Sequence, residues 1–240
     1  MSFSPRRRFQ LISLALGATL VLAVTPNVAQ ASVSNPTVKS VLKATKKAMG
    51  KESGVHIYVK SKSGTDASLV TVDIGAKYGE ETIASGKSVV KIIVTPTDAY
   101  LSGTKTGLTT IMGLTAAEQA KVGSLSVVMK SGTSPYTSFH SNLTTSVLAG
   151  ILPVAKGTKY KTGSDSSKDY QLSWKTAATS TAAATKSVLT ISSGSKTLPI
   201  KEVITGKSGG GTTTFSRWGE HVVEHAPAAA FTIPYAKVIG

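Results

Sequence analysis

VHIYVKSKSGTDASLVTVDI, residues 55–74, carries the clearest structural pattern in this chain. Apolar residues alternate with polar ones on both sides of the segment Ser63-Gly64-Thr65-Asp66. A period of two is typical of a strand with one buried face, and Gly and Asp favour tight turns. The stretch therefore predicts two antiparallel strands, with Val55, Ile57 and Val59 facing the same way along the first.

The pattern continues on both sides of this pair. Residues 89–94 are apolar on both faces except at Lys91, and Gly79 and Gly86 mark turns, so we expect an antiparallel meander. Before the pair, apolar residues between Thr37 and Met49 recur at steps of three and four, which predicts a helix. We expect Asn35 to cap this helix and Gly50 to end it.

The middle of the chain has a helical period. Phe139, Leu143, Val147 and Ile151 recur every four residues and predict a helix that ends before Pro153. About four more strands are expected between residues 170 and 218. The sum is an α+β domain with one large antiparallel sheet and helices gathered on one face.

The first 31 residues have the three parts of a secretory signal. Arg6, Arg7 and Arg8 form a positive start, residues 11–24 are apolar or small, and Ala29-Gln30-Ala31 fits a cleavage site. We therefore expect a signal peptide at 1–31 and a single domain at 32–240. The mature protein is expected to be secreted or loosely wall-associated, with no stable membrane span, because 14 residues are too few to cross a bilayer comfortably.

Composition limits the classes of partner. The chain has no Cys, so disulfides contribute nothing to its stability, and 27 Lys+Arg stand against 12 Asp+Glu. Outside residues 1–31 the only arginine is Arg217. Readers of nucleic acid favour arginine, so we expect no nucleic-acid partner. The charge fits either a solvated basic surface or a surface for anionic envelope polymers and lipid headgroups.

A zinc-protease pattern is present without its expected context. His221-Val222-Val223-Glu224-His225 matches HxxEH, which needs a helix and a further acidic ligand. Pro227 follows closely, a strand pattern precedes it, and the chain has no acid after residue 225. We therefore expect no metal site here.

Two other catalytic patterns are equally incomplete. Ser40 and Lys43 match SxxK, and residues 105–107 and 161–163 match KTG, but Ser40 lies in the first turns of the predicted helix. Gly86-Lys87-Ser88 resembles a phosphate loop, yet Glu81 stands where its first glycine is required. We expect no catalytic residue and no cofactor.

The apolar residues of the helical middle segment have two interpretations. They pack directly on the sheet, or they form the roof of a cavity whose floor is one face of residues 89–94. A closed apolar cavity suits acyl chains, at about 0.8 kcal/mol for each buried CH₂. The candidate lining residues are Val90, Ile92, Val94, Leu108, Ile111, Met112, Leu114, Val122, Leu125, Phe139, Leu143 and Val147.

Three segments resemble one protein family. They are the exported start with its helix at 37–49, the segment 120–139 that runs into a helix ending at Leu152-Pro153, and the closing TFSRWGE of 214–220. Together they are similar to the LolA-like lipoprotein-carrier fold, and more closely to the actinobacterial lipid-carrier lipoproteins of the LppX/LprG group.

The resemblance implies a half-barrel of antiparallel strands with helices packed on its concave face. It also implies a non-catalytic protein that binds or transports lipid or lipoglycan in the cell envelope, as a monomer, with acyl chains in an apolar cavity. The alternative is a structural or signalling envelope module with a filled core. Two departures stand out: the anchor Cys of the group is absent, and Leu125 occupies a position where the group often has Trp.

Overall fold

The protein is described by a computed structural model that covers residues 37–148, 152, 161–164, 167–178 and 183–240. Five α-helices lie in these residues: α1 Val38–Met49, α2 Lys105–Thr110, α3 Ala116–Val122, α4 Ser134–Asn142 and α5 Tyr235–Ile239. The first six strands are β1 Gly54–Ser63, β2 Asp66–Gly75, β3 Gly79–Ser85, β4 Ser88–Val94, β5 Asp98–Gly103 and β6 Ser126–Lys130. The other strands are β7 Lys161–Ser164, β8 Tyr170–Thr176, β9 Thr185–Ile191, β10 Pro199–Gly206, β11 Gly209–Ser216 and β12 Thr232–Pro234.

All of these strands join one sheet. Its order is β12-β6-β5-β4-β3-β2-β1-β11-β10-β9-β8-β7, and every neighbouring pair is antiparallel except β12 with β6. The predicted meander is confirmed from β1 to β5. Pairing of β1 with β11 joins the early strands to the late ones, so both groups of strands belong to one open sheet.

One face of the sheet is buried and mostly apolar, whereas the other face is half-buried or exposed and carries most of the polar side chains. On β4 the buried side chains are Val90, Ile92 and Val94, and their cross-strand partners Leu101 and Ala99 are buried too. The same face carries Ile57 and Val72 on β1 and β2. The helices contribute to this single core, so the sheet curves around them. The α+β half-barrel with helices on its concave face is therefore confirmed.

The first helix begins later than the sequence suggested. Its N-cap is Thr37, whose hydroxyl accepts a hydrogen bond from the Ser40 amide at 3.2 Å. The prediction that Asn35 caps the helix is wrong, because Thr37 is already the extended residue before the first turn. Gly50 ends the helix as expected.

The middle segment contains more sheet than its period indicated. Strand β6 lies between α3 and α4 and was not predicted. The long helix over Phe139 to Ile151 is also wrong, because α4 ends at Asn142 and Thr144 forms a bridge with Gly75 of β2. The bridge to the last residue of β2 takes the place of further helix after Asn142. Ile151 lies outside the described residues.

Gly79 permits this close approach. A Cβ at Gly79 would lie 2.1 Å from the Leu143 carbonyl oxygen, so the backbone that follows α4 rests directly on β3. We predict that Gly79→Ala lowers the free energy of unfolding by about 2 kcal/mol, or about 5 °C in melting temperature, because backbone must shift.

The matched control for that substitution is Gly50→Ala. An added Cβ there meets the nearest atom at 3.4 Å, and the backbone is right-handed helical, so its melting temperature should stay near that of the wild type. Equal melting temperatures for Gly79→Ala and Gly50→Ala in calorimetry would contradict the account.

Candidate functional site

The candidate site is the apolar layer between the concave face of the sheet and the helices. Val90, Ile92 and Val94 form its floor, and each is 0% exposed. Among the predicted lining residues of the helical segment, six are also buried: Leu108, Met112, Leu114, Val122, Phe139 and Leu143. Ile111, Leu125 and Val147 are half-buried. The structure therefore brings the predicted residues, except Leu125, into one apolar cluster, and their role as a ligand cavity stays a prediction.

Local capping interactions hold the helices over this floor. Thr104 caps α2, and its hydroxyl accepts a hydrogen bond from the Gly107 amide at 3.0 Å. Thr115 caps α3 in a capping box, where Glu118 accepts a hydrogen bond from the Thr115 amide at 2.7 Å. These caps satisfy backbone amides in the first turns of α2 and α3 and so stabilise these short helices over the sheet.

The fourth helix is tied to the sheet by a tyrosine. The Tyr136 hydroxyl lies 3.1 Å from the Thr95 carbonyl oxygen and 2.8 Å from that of Pro96, in the turn between β4 and β5. One ring face of Tyr136 lies near His140, with ring centroids 5.3 Å apart. The helix contacts β4, β5 and β6 and so covers one end of the floor.

One carboxyl interrupts the apolar floor. Glu81 lies on β3 between Val72 and Ile92, its cross-strand partners on β2 and β4. It is 1% exposed, and neither of its carboxyl oxygens has a hydrogen-bond partner among the described residues. A buried polar group without a partner costs free energy, and an ionised one costs far more. Glu81 is therefore the chemical anomaly of the layer.

Burial also changes the acidity of this group. Desolvation raises the pKa of Glu81 to about 7, because an apolar surrounding disfavours the charged form. A second carboxyl on the same face, Glu202 of β10, is half-buried, and burial raises its pKa as well. The layer thus has two carboxyls with raised pKa values: Glu81 on β3, and Glu202 on β10.

Sequence reasoning missed Glu81 as a member of the site. The sequence analysis names Glu81 only in the phosphate-loop pattern. The alternation of β3, however, indicates that the side chain of Glu81 faces the core. Gly79, Glu81 and Ile83 share one face of β3, and that face meets the apolar residues of both neighbouring strands. Extending the alternation from β2 through β3 would have placed a carboxyl in the core.

The HxxEH pattern does not form a zinc site. Residues 220–228 have neither helix nor strand, and His221 and His225 are exposed. Glu224 faces Glu80 on the convex side of the sheet, and the pKa of Glu224 is raised to about 7 by burial first and by Glu80 second. Across the part of the chain that the structure describes, no group of three His, Asp or Glu side chains could hold a metal ion.

The serine-enzyme pattern is equally scattered. Ser40 lies in the first turn of α1, where its hydroxyl donates to the Thr37 carbonyl oxygen at 2.8 Å. One KTG tripeptide begins α2 and the other lies on β7 at the opposite end of the sheet. The first tripeptide and Ser40 therefore serve local helix starts.

Comparison with known proteins finds matches among solved structures. The chain matches no model of a protein family, and no curated protein matches it. The crystal structure of the lipoprotein LppX from Mycobacterium tuberculosis is 14% identical in sequence, with 78% of this chain and 99% of that chain covered and a TM-score of 0.45. The crystal structure of LprF from Mycobacterium bovis is 13% identical, with 79% and 96% covered and a TM-score of 0.43.

No helix among the described residues is long and apolar enough to cross a membrane.

The raised pKa of Glu81 predicts a pH-dependent stability. Its folded pKa of about 7 exceeds the ordinary value of 4.5, so folding takes up a proton between these pH values. Stability from this group is complete below about pH 4.5 and is lost as pH rises towards 7, by about 3 kcal/mol in all. We expect Glu81→Gln to remove that loss, as measured by urea unfolding at pH 5 and pH 7.5.

The control variant for this measurement is Asp66→Asn, which changes an exposed carboxyl at the β1–β2 turn. It should retain the pH dependence of the wild type. If Glu81→Gln and the wild type lose the same free energy between the two pH values, Glu81 is not buried as described.

Proposed function

We propose that this protein is a non-catalytic binder of lipid or lipoglycan that holds acyl chains between the concave face of its sheet and its helices. The lining would be the residues named above, from Val90 on β4 to Phe139 on α4. Among the described residues, Glu81 and Glu202 are buried or half-buried carboxyls on this face of the sheet, and the apolar side chains around them offer burial to acyl chains.

Glu81 is the observation that carries the proposal. A core that serves only stability gains nothing from a carboxyl that has no hydrogen-bond partner among the described residues, and replacing it by an apolar residue would stabilise the fold. A bound lipid with a hydroxyl group gives this carboxyl a hydrogen-bond donor, in an environment where such a bond is strong. The carboxyl then selects lipids that carry a donor near their acyl chains.

Entry of a ligand requires the helices to move. The floor residues are 0% exposed, so protein atoms already cover them. The helices above are short: α2 has 6 residues, α3 has 7 and α4 has 9. Short segments joined by loops open at lower free energy than the strands beneath them. We therefore place the opening between the helices and β4, with the sheet as the fixed wall.

The complete cover over the floor also favours a second function. A structural or signalling envelope module with a filled core would show the same buried Val90, Ile92 and Val94. That protein would bind no lipid, would act through a protein partner recovered by crosslinking, and would leave Glu81 as an unexplained cost.

The proposed setting is outside the cytoplasm. Residues 1–31 would be removed after Ala31, so the mature chain would begin with Ser32 and carry no acylated cysteine. Amino-terminal sequencing of the exported protein should give Ser32 as its first residue, and an intact Met1 or a blocked terminus would contradict this setting.

The direct test is extraction of the purified mature protein with organic solvent, followed by mass spectrometry. We expect bound lipid in the extract and saturable uptake of a fluorescent fatty acid by the extracted protein. Repeated absence of both results would refute lipid binding and favour the filled core.

Two neighbouring valines provide a matched pair of variants. Val90 lies on the floor, whereas Val89 points to the opposite face of β4 and is 37% exposed. We expect Val90→Phe to weaken fatty-acid uptake at least about tenfold, because the larger ring occupies the floor, while Val89→Phe binds as the wild type does. Circular dichroism should show both variants folded, and equal uptake by the two would contradict the location of the site.

A further inference from the structure

The convex face of the sheet carries an array of five exposed lysines. Across β1, β11, β10, β9 and β8, the registers place Lys62, Lys186 and Lys175 in one row. Lys60 lies in the next row and Lys201 in the one after it. All five side chains are exposed, and none forms an ion pair with any described residue. We call these five residues the lysine face.

The rows of the lysine face contain no acidic residue. The positions between the lysines are mostly threonines, namely Thr205, Thr212, Thr214 and Thr190, together with the half-buried Val203 and Val188 in the row of Lys60. The first acids on this side of the sheet are Asp73 and Glu80, one row beyond Tyr58. Those acids already have side-chain partners, since an Asp73 carboxyl oxygen lies 2.6 Å from His56 Nδ1 and a Glu80 carboxyl oxygen lies 2.9 Å from Lys91 Nζ.

The array extends in two dimensions. Strands lie about 4.8 Å apart and alternate residues about 6.8 Å apart, so the five lysines cover an area of about 19 by 14 Å. A linear polyanion contacts a line of charges, whereas a bilayer surface presents a plane of them. The two-dimensional spread therefore fits an anionic membrane surface better than a single polymer strand.

The same end of the sheet has an open groove. It measures about 610 Å³ and is lined by Lys60, Lys62 and Lys207 together with the glycine run 209–211. On the concave face at this end, the apolar ladder gives way to Ser61 and Ser68, whose hydroxyl oxygens lie 2.6 Å apart. The polar end of the half-barrel is thus next to the lysine face.

We propose that the lysine face is a peripheral docking surface for membranes rich in anionic lipid. Each lysine near such a surface is attracted by the headgroup charge, and five of them together give reversible binding without insertion. The accessible apolar side chains in the rows are the half-buried Val203 and Val188, and Tyr58, which is 40% exposed at their edge. Docking would bring the polar end of the half-barrel to the headgroup region. This inference holds whether or not the concave layer binds lipid.

Cosedimentation with vesicles tests the proposal, using a four-lysine variant of the full mature chain. We combine Lys60→Gln, Lys62→Gln, Lys186→Gln and Lys201→Gln. The matched control combines Lys39→Gln, Lys43→Gln, Lys46→Gln and Lys47→Gln on the exposed side of α1. Both variants lose four charges, so they differ only in which surface is neutralised.

We expect the wild type and the α1 control to bind vesicles of phosphatidylglycerol at low salt, and to bind vesicles of phosphatidylcholine hardly at all. The lysine-face variant should bind phosphatidylglycerol vesicles about 100-fold more weakly. Binding of the wild type should fall steeply as salt is raised, because screening shortens the range of the attraction.

Three results would overturn the inference. One is equal loss of vesicle binding in the two variants, which would show that only net charge matters. Another is vesicle binding by the lysine-face variant at the level of the wild type. The third is tight, lysine-face-dependent binding of the wild type to a linear polyanion such as polyglutamate, with no binding to the anionic vesicles.

Discussion

Burial of the concave face is the constraint on which this structure depends. A long antiparallel sheet with alternating side chains has one apolar face that water must not reach, and its cover contributes about 25 cal/mol for each Å² buried. The chain supplies the cover from its middle, through α2, α3 and α4, and from its ends, through α1 and α5. Pairing of β1 with β11 keeps the late strands in the same curved layer. The cover is also where a ligand would compete with protein side chains.

Glu81 separates two readings of that cover. In a purely structural core, a carboxyl between Val72 and Ile92 only lowers the stability of the fold. In a binding layer, the same carboxyl would accept a hydrogen bond from a donor group of the ligand. The lysine face gives the opposite side of the sheet a separate task, and the two faces need not act together. In both cases the strands of the sheet hold the polar side chains: Glu81 on the concave face and the lysine face on the convex face.

Much of the fold could be predicted from the sequence because strand alternation and helix period are local signals. The meander from Val55 to Val94 and the capping box at Thr115 are examples, since the residues that decide them are close in the chain. The break after Asn142 could not be predicted, because it depends on Thr144 meeting Gly75 far away in sequence. The layer residues were found by their apolar character. The lysine face was missed because it is defined by registers between strands that are distant in sequence, whereas Glu81 could have been found from the alternation of β3.

The most direct test of the binding layer is the carbon NMR signal of the Glu81 carboxyl in protein labelled at glutamate side chains, assigned with Glu81→Gln. A monoacylglycerol offers both an acyl chain and hydroxyl donors. The account predicts that its binding shifts the Glu81 signal and its titration midpoint, while the signal of Glu52, which is paired with Lys196, stays in place. Saturable binding of the monoacylglycerol with no change at Glu81, or no binding at all, would contradict the account.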